Sequence, residues 1–453
     1  MMVYPYKPFQ GELETLQGPE LAVLKDVSEG WYVDYREAPP SLKDLAKHMS
    51  AFANQYGGWL FLGVKEKDAK GMTAGSFPGI PQDSVPSVLV ALREASSAHV
   101  SPPLFFETKV INGPMPELDL AGNRAIVVVG IPEGTDPPYI HSSGRIYRRV
   151  GDHSDPKPET DRHVLDLLWD RSARTRKLLE DFLTARPNVS KAESEMVRAY
   201  VYFLSDPNFI GQELPLAYSD FVDVMQPASG QGLFTVPLPN TFTTADGFVA
   251  RQVGDSDPRF ELLTFRWWSN GNVRVSVPVS VHDFIESESR LDVLQLQFLQ
   301  ALKRHGYRGG RVAEFSIFMA VLVGLTQKYI TLRKLLGITQ PFFGKIRLCH
   351  AWRVIPFVNL ASYLKAIEIH GFPVVQDDEI LCPPGLSSHS LVVMDEAKFE
   401  DKAKALLTVL PLAVAALEAV GISVGGFLAG GGDDFISELS DAVQDSLKAK
   451  SIR

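Results

Sequence analysis

Apolar residues recur at helical spacing between positions 42 and 53, directly after an extended segment and two prolines. Ser41 precedes this stripe and Asp44 lies three positions further on, which is a variant of the capping box that starts helices. Gly57 and Gly58 follow the stripe, and glycine commonly terminates helices. The pattern therefore predicts a helix that begins at Ser41 and ends before the two glycines.

This helix lies within a series of predicted strands. A second helix is predicted over residues 85–97, where apolar positions again repeat at helical spacing. Extended or apolar runs predict strands at 31–36, 59–64, 104–110, 125–131 and 145–150. This order of elements is typical of an α+β domain with a mixed sheet and helices.

The second half of the chain predicts a separate C-terminal α/β domain. Helices are expected at 190–230, 290–337 and 400–420, and strands at 240–280 and 345–354. The sequence Ser-Asn-Gly-Asn at 269–272 separates two strand-like runs and is a strong hairpin signal. We therefore predict a domain at 1–155, a helical linker at 156–210 and a domain at 211–453.

Composition limits the classes of protein to consider. The 453 residues are 45% hydrophobic and 22% charged, a globular balance that excludes a mostly disordered chain. The net charge of −9 excludes a polybasic nucleic-acid binder, so any nucleic-acid contact needs a local basic surface. Two cysteines and an N-terminus without an apolar signal segment indicate a cytoplasmic protein. The apolar run 405–429 contains Pro411 and Glu418, so we interpret it as a buried helix and expect no membrane association.

Three acidic residues surround the first predicted helix and are the candidate chemistry. Glu29 and Asp34 flank the extended segment before the helix, and Glu66 ends the strand that follows it. Carboxylates that converge on one point bind Mg²⁺ or Mn²⁺, which can activate water for phosphodiester cleavage. Spacing alone leaves open that these are ordinary solvated acids. The chain has no G-x-x-x-x-G-K-[ST], H-E-x-x-H or G-x-S-x-G motif that would indicate another chemistry.

The sequence around these acids resembles the Schlafen AlbA-like domain over roughly residues 15–155. The resemblance lies in Ser-Ala-Phe-Ala-Asn at 50–54, Gly57-Gly58, and Gly-Val-Lys-Glu at 63–66. It continues in Pro-Pro-Tyr at 137–139 and in Gly-Arg-Ile-Tyr-Arg-Arg-Val-Gly at 144–151. This is a third of the chain, and the remainder resembles no family that we identify.

The resemblance implies a metal-dependent endoribonuclease that cleaves RNA, often transfer RNA. It implies that Glu29, Asp34 and Glu66 are catalytic and bind Mg²⁺ or Mn²⁺. Many family members have Glu and Asp at the second and third acidic positions, where this chain has Asp and Glu. The animal members of the family also have a structural zinc site, which is not expected here because this chain lacks the cysteines for it. The resemblance also implies a homodimer.

Basic residues near the motifs are candidates for nucleic-acid binding. They are Arg36, Lys43, Lys47, Arg145, Arg148 and Arg149. In a strand, 145 and 149 share one face and 148 takes the other, so only part of this set can face one ligand. The basic run 171–177 could extend the surface or form a solvated helix face. Asn54 could orient a phosphate or cap the helix, and His48 could be an acid/base group or a packing residue.

The leading hypothesis is an RNA-cleaving enzyme governed by a C-terminal sensor domain with an unknown trigger ligand. An anti-phage defence setting fits such a fusion by analogy alone. The alternative is a non-catalytic nucleic-acid-binding or ATP-binding transcriptional regulator. The acidic triplet discriminates between these hypotheses, because carboxylates beside a phosphate backbone repel it unless a metal is bound.

Overall fold

The computed structural model divides the chain into two compact units, Met1–Leu178 and Leu179–Arg453. The division falls within a helix that spans Arg162–Thr184. The structure describes residues 4–11, 13–67, 72–151, 153–185, 196–206, 214–226, 236–253, 262–279, 281–282, 291–307, 311–338, 340–396 and 404–423.

The first unit combines a mixed sheet with helices, as the sequence predicts. Its helices are α1 (Leu42–Asn54), α2 (Val85–Ala98) and the start of α3 (Arg162–Thr184). Its strands are β1 (Val33–Arg36), β2 (Gly58–Leu62), β3 (Lys65–Glu66), β4 (Ala74–Ser76), β5 (Ile80–Pro81), β6 (Val100–Ser101), β7 (Glu107–Asn112), β8 (Arg124–Ile131), β9 (Ile140–His141), β10 (Tyr147–Val150) and β11 (His153–Pro158). Short 3-10 helices occupy Leu13–Thr15, Gly18–Asp26, Gln82–Ser84 and Pro116–Leu118.

Strand β8 organises the five-stranded sheet of this unit. It pairs antiparallel with β2, β5 and β7, whereas β1 pairs parallel with β2. The parallel register places Asp34 opposite Leu60 and Arg36 opposite Leu62. The C-terminal end of β1, which carries candidate site residues, therefore lies beside the end of β2 that leads to Glu66.

Alternate residues of the sheet enter two separate cores. Val127 and Val129 of β8 pack with α1 and α2 on one face. Ile126 and Val128 pack on the other face with the N-terminal segment, which contributes residues such as Leu21. This period-2 division is what a sheet covered on both faces requires.

Helix α1 begins as the sequence predicts. The Ser41 side chain accepts a hydrogen bond of 3.2 Å from the Asp44 backbone N–H, as an N-cap residue does. At the other end, Gly57 has φ of +74°, and a Cβ there would lie 2.6 Å from the Glu133 backbone nitrogen. This position therefore requires glycine for both its conformation and its close approach to the neighbouring chain.

The second unit is a mixture of helices and a large antiparallel sheet. Its helices are α4 (Tyr218–Met225), α5 (Val293–Arg304), α6 (Phe315–Leu335), α7 (Ala361–His370) and α8 (Lys404–Ala419). Its strands are β12 (Arg198–Leu204), β13 (Asn240–Thr244), β14 (Gly247–Arg251), β15 (Thr264–Trp268), β16 (Val273–Pro278), β17 (Val281–His282), β18 (Val312–Glu314), β19 (Phe342–Cys349), β20 (Ile355–Phe357), β21 (Glu379–Cys382) and β22 (Val392–Met394).

The prediction of helix throughout 190–230 is wrong for β12. This strand lies between β16 and β19 in the eight-stranded sheet, and all seven of its residues are buried. A central strand buried on both faces lacks the polar alternation that distinguishes a strand in sequence. The hairpin prediction is confirmed, because β15 and β16 pair antiparallel across a turn where Gly271 has φ of +77°.

One helix among the described residues, α6, is long and apolar enough to cross a membrane by length and composition alone. Most of it is buried inside the second unit, as the core helix of a folded domain is. The predicted buried helix at 405–429 corresponds to α8, which packs into the same core. Residues 424–429 of that prediction lie outside the described residues.

Candidate functional site

The carboxyl groups of Glu29 and Glu66 meet beside the sheet of the first unit. Glu29 lies just before β1, where its backbone N–H donates to the Met72 carbonyl at 2.6 Å. Its Oε1 accepts a 2.5 Å hydrogen bond from the Tyr35 backbone N–H. Its Oε2 is buried and receives no hydrogen bond from the described residues, and the Glu66 carboxyl is close enough to share a proton with it. Two acidic groups thus lie close together, an arrangement that a shared proton or a cation can stabilise.

Burial raises the pKa of Glu29 to about 9, and the neighbouring carboxylates of Asp34 and Glu66 add to the shift. The hydrogen bond from the Tyr35 N–H opposes it. A carboxyl with this pKa carries a proton at neutral pH unless a cation takes the proton's place. The pair therefore has the electrostatic character of a site for a proton or a metal ion.

Asp34 is completely buried and is surrounded by cationic and hydrogen-bonding groups. Its Oδ1 lies 3.2 Å from Arg36 Nη2, and its Oδ2 lies 2.6 Å from His48 Nδ1 and 3.4 Å from Arg149 Nη1. Burial acts to raise the pKa of Asp34, but the His48 hydrogen bond and the two guanidinium charges outweigh it and lower the pKa. Asp34 is therefore an ionised anchor at neutral pH.

The contacts of His48 define its tautomer. Arg36 Nη2 lies 3.1 Å from His48 Nε2, and a guanidinium can only donate. Nε2 must then accept, so the ring proton lies on Nδ1 and is donated to Asp34. Asp34 thereby orients His48, and both groups orient Arg36, whose side chain remains 28% exposed. Arg36 is the cation of this cluster that a ligand can reach.

The sequence predicts Arg149 as a nucleic-acid ligand, but the structure places it in the interior. Its side chain is completely buried, donates to the backbone carbonyls of Gly30 and Val33, and stacks 4.8 Å from the Phe52 ring centre. Burial lowers the pKa of Arg149, and the Asp34 charge opposes this. It holds the segment between Glu29 and β1, and it cannot contact nucleic acid in this conformation.

The other predicted nucleic-acid ligands are dispersed. Lys43 and Arg145 are exposed, and Arg145 lies before β10 rather than within it. Lys47 donates to the Asp155 carboxylate at 2.7 Å. Arg148 is paired with Glu159. The predicted basic surface is therefore largely neutralised by acidic partners.

Asn54 neither orients a phosphate nor caps its own helix. It is buried, donates from Nδ2 to the carbonyls of Tyr139 and Tyr147 at 2.9 Å, and accepts from the Tyr139 N–H at 2.7 Å. The end of α1 is instead capped by Arg171, whose guanidinium donates to the carbonyls of residues 53–55 and pairs with Glu133. Both residues attach α1 to later segments of the unit.

Residues 29–158 match the family model described as Schlafen, AlbA_2. These residues form a Schlafen AlbA_2 domain. This family is nucleic-acid-related, and the rest of the chain matches no family model. The family resemblance of the N-terminal domain is therefore confirmed.

Solved structures are similar to this chain over a third of its length. One is the N-terminal domain of a putative ATP-dependent DNA helicase RecG-related protein from Nitrosomonas europaea, with 25% identity over 33% of this chain and 97% of that chain, at a TM-score of 0.25. Another is the DIP2311 protein from Corynebacterium diphtheriae, with 18% identity over 33% of this chain and 31% of that chain, at a TM-score of 0.21. No curated protein matches the chain.

The acids of the Schlafen AlbA_2 domain fit a two-carboxylate cation site better than a three-carboxylate one. Among the residues that the structure describes, no three His, Cys, Asp or Glu side chains form a group that could hold a metal ion. Glu29 Oε2 and Asp34 Oδ1 are both buried without a hydrogen-bond partner among the described residues, but two guanidinium groups and a histidine already surround the Asp34 carboxylate. Mg²⁺ commonly binds through one or two carboxylates and keeps several waters, which suits the Glu29–Glu66 pair.

The sequence offered His48 as an acid/base group or a packing residue but did not indicate its contact with Asp34. Position 48 lies three residues after Leu45 and four before Phe52, both of which belong to the buried stripe of α1. This spacing was a signal that His48 faces inward. Its partner could not be found in the same way, because Asp34 lies in a different element.

Proposed function

We propose that the Schlafen AlbA_2 domain is a metal-dependent endoribonuclease that cleaves RNA, with transfer RNA as the expected substrate. The observation that carries this proposal is the Glu29 carboxyl, which interacts with the Glu66 side chain and whose buried Oε2 has no hydrogen-bond partner among the described residues. The pKa of Glu29 is raised, so its ionisation beside the carboxylates of Asp34 and Glu66 would cost stability in the metal-free protein. A divalent cation between Glu29 and Glu66 would remove that cost.

In this proposal Glu29 and Glu66 hold Mg²⁺ or Mn²⁺. The bound ion supplies a water of lowered pKa and neutralises charge on the phosphodiester. Asp34 does not bind the ion but fixes His48 and Arg36, with which it is in contact. Arg36 then presents its partly exposed guanidinium to a phosphate oxygen, where it stabilises negative charge that develops in the reaction.

One observation favours a second candidate, a non-catalytic nucleic-acid-binding regulator. Asp34 is ion-paired with Arg36, His48 and Arg149 without any metal, although its Oδ1 has no hydrogen-bond partner among the described residues. A domain that only binds nucleic acid could retain such a cluster as a structural anchor. The two candidates differ in whether the Glu29–Glu66 pair is needed for chemistry.

The test is cleavage of total transfer RNA by the full chain with Mn²⁺, Mg²⁺ or EDTA. Glu29→Gln and Glu66→Gln each keep the side-chain volume but remove a charge. Glu37→Gln is the matched control, because Glu37 is exposed and pairs only with Lys65 on the surface. We expect metal-dependent cuts in the wild type and the control, and losses of at least 100-fold in both test variants, roughly the 3 kcal/mol that a group essential to catalysis contributes. Intact RNA that is nevertheless bound would favour the regulator.

The remaining assignments extend this proposal to the whole chain. We propose that the second unit governs the activity through a trigger ligand of unknown class, that the protein acts as a cytoplasmic homodimer, and that it serves in defence against phage. Light scattering of the purified chain tests the dimer. ATP binding by the wild type would instead support the ATP-dependent regulator.

A further inference from the structure

The cations around the acidic site do not form a free phosphate-binding surface. Arg149 is buried against Asp34, and Lys47 binds Asp155 at 2.7 Å. The whole chain has a net charge of −9. A nucleic acid that binds here gains little from counterion release, so its affinity must come from another kind of contact.

A row of four aromatic rings provides such a contact. Tyr6 stacks on Tyr32 with ring centres 5.2 Å apart, and Tyr32 lies 6.1 Å from Tyr56. Trp31 continues the row, 6.1 Å from Tyr56. We call these four residues the aromatic platform. Trp31 is 38% exposed and Tyr56 is 45% exposed, so large ring surfaces face solvent at this end of the row.

The platform is held by the buried start of β2. Trp59 donates from its indole nitrogen to the Tyr6 carbonyl at 2.8 Å and from its backbone to the Tyr32 carbonyl at 2.7 Å. The Gly57 N–H donates to the Phe52 carbonyl at 2.8 Å, which fixes the chain beside Tyr56. Aromatic rings on fixed backbone lose little conformational freedom when a ligand stacks on them.

The platform is linked along the chain to the acidic site. Trp31 follows Glu29 by two residues, and the carbonyl of Gly30 between them accepts hydrogen bonds from Arg149. Trp31 also packs on Gly151, where a Cβ would lie 2.6 Å from the indole nitrogen. The segment that positions Glu29 therefore also positions Trp31.

We propose that the aromatic platform binds unpaired nucleobases of single-stranded RNA by stacking. This inference rests on the proposed action on RNA for its choice of ligand. Every base has a π-face, so stacking tolerates sequence, and it does not depend on free cations. The substrate class of the site is thus RNA with unpaired bases, such as a loop or a single-stranded end, rather than a continuous duplex.

The experiment measures binding of the full chain in EDTA, which prevents metal-dependent cleavage. The probes are a fluorescein-labelled single-stranded adenosine 12-mer RNA and an abasic 12-mer with the same phosphates. We expect the wild type to bind the RNA at least tenfold more tightly. We expect Tyr56→Ala and Trp31→Ala each to weaken RNA binding about tenfold and to leave the abasic probe unchanged, as loss of one stacking contact predicts.

The controls separate stacking from folding and from general exposure of aromatic rings. Tyr56→Phe and Trp31→Phe keep an aromatic face and are expected to bind RNA like the wild type. Phe105→Ala removes a ring that is 61% exposed in the same unit but outside the platform, and it is expected to change nothing. Equal binding of the two probes by the wild type, or unchanged RNA binding by both alanine variants, would overturn the inference.

A parallel cleavage assay with Mn²⁺ separates this inference from the proposed function. Wild-type protein that stacks bases but cleaves no RNA would contradict the nuclease and leave the platform supported. Wild-type protein that cleaves RNA while both alanine variants bind and cleave normally would contradict the platform alone. Loss of binding to both probes in Tyr56→Ala but not in Tyr56→Phe would assign the ring a structural role and also overturn the inference.

Discussion

Replacement of Glu29 by glutamine should stabilise the metal-free protein at neutral and alkaline pH. The glutamine carbonyl can still accept the hydrogen bond that Glu29 Oε1 receives from the Tyr35 N–H. Its amide replaces Oε2, which has no donor, and can donate to the Glu66 carboxylate. The substitution therefore removes a group that the metal-free protein must keep protonated, while it keeps the shape of the side chain.

The size of this effect follows from the pKa of Glu29. The ordinary value is 4.5, and the folded chain raises it to about 9. Between these values the folded chain binds the proton more tightly than the unfolded chain. This tighter proton binding stabilises the folded chain fully below pH 4.5. The stabilisation is lost as pH rises towards 9, at up to about 1.4 kcal/mol per pH unit. Between pH 5 and pH 8 the free energy of unfolding of the wild type should fall by up to ~4 kcal/mol relative to that of Glu29→Gln.

The assay is urea unfolding of the full chain in EDTA at several pH values, followed by tryptophan fluorescence. Titrating groups that do not interact with Glu29 affect both proteins equally, so the difference between wild type and Glu29→Gln reports the titration of Glu29 together with its neighbours Asp34 and Glu66. Glu37→Gln serves again as the exposed control and should show no pH-dependent difference. If the free-energy difference between wild type and Glu29→Gln is the same at pH 5 and pH 8, the raised pKa and the reasoning built on it are refuted.

Three further predictions concern the groups that support the site. Asn54→Ala leaves buried hydrogen-bonding groups of Tyr139 and Tyr147 unpaired and should lower the free energy of unfolding by roughly 3–5 kcal/mol; a loss below 1 kcal/mol in urea unfolding would contradict this. Arg149→Met leaves the Asp34 carboxylate buried without its deepest cation and should cost about 3–5 kcal/mol, measured by the same unfolding experiment. The pKa of Asp34 is lowered in the folded chain, so its stabilisation is present above its ordinary value of 3.8 and is lost as pH falls below it. Asp34→Asn should therefore reduce the acid sensitivity of unfolding below pH 4, and equal acid sensitivity of the two proteins would argue against an ionised anchor.

Local signals in the sequence predict the local parts of this fold. The Ser41 cap and the two glycines that follow α1 act on their immediate neighbours, so they can be read from the sequence. The strands β2 and β8 are evident as apolar runs, and the turn before β16 is evident from its glycine and asparagines. In each case the physical cause lies within a few residues of the element that it determines.

The roles of Asn54 and Arg149 could not be predicted because their partners are distant in sequence. Asn54 binds the carbonyl of Tyr139, 85 positions away, and Arg149 binds that of Val33, 116 positions away. The same residue types on an exposed surface would contact phosphate or solvent, and composition does not distinguish these cases. These two residues of the family motif therefore connect distant segments of the domain to one another.

The buried strand β12 shows the corresponding limit for secondary structure. Its sequence RAYVYFL combines residues that are compatible with a helix or with a strand. Its conformation is decided by β16 and β19, which pair with it on both sides and lie 70 or more positions further along the chain. Tertiary pairing thus overrides a local pattern that is ambiguous.

The most direct test of the account is calorimetric titration of the full chain with Mn²⁺ at pH 7 in two buffers of different ionisation enthalpy. The comparison gives the number of protons released per bound ion. Because the pKa of Glu29 is raised to about 9, a cation that binds between Glu29 and Glu66 must displace its proton. The account predicts that one Mn²⁺ binds with release of about one proton, and that Glu29→Gln and Glu66→Gln abolish this binding while Glu37→Gln retains it. Binding without proton release, or equal binding by all four proteins, would contradict a cation site at this carboxyl pair.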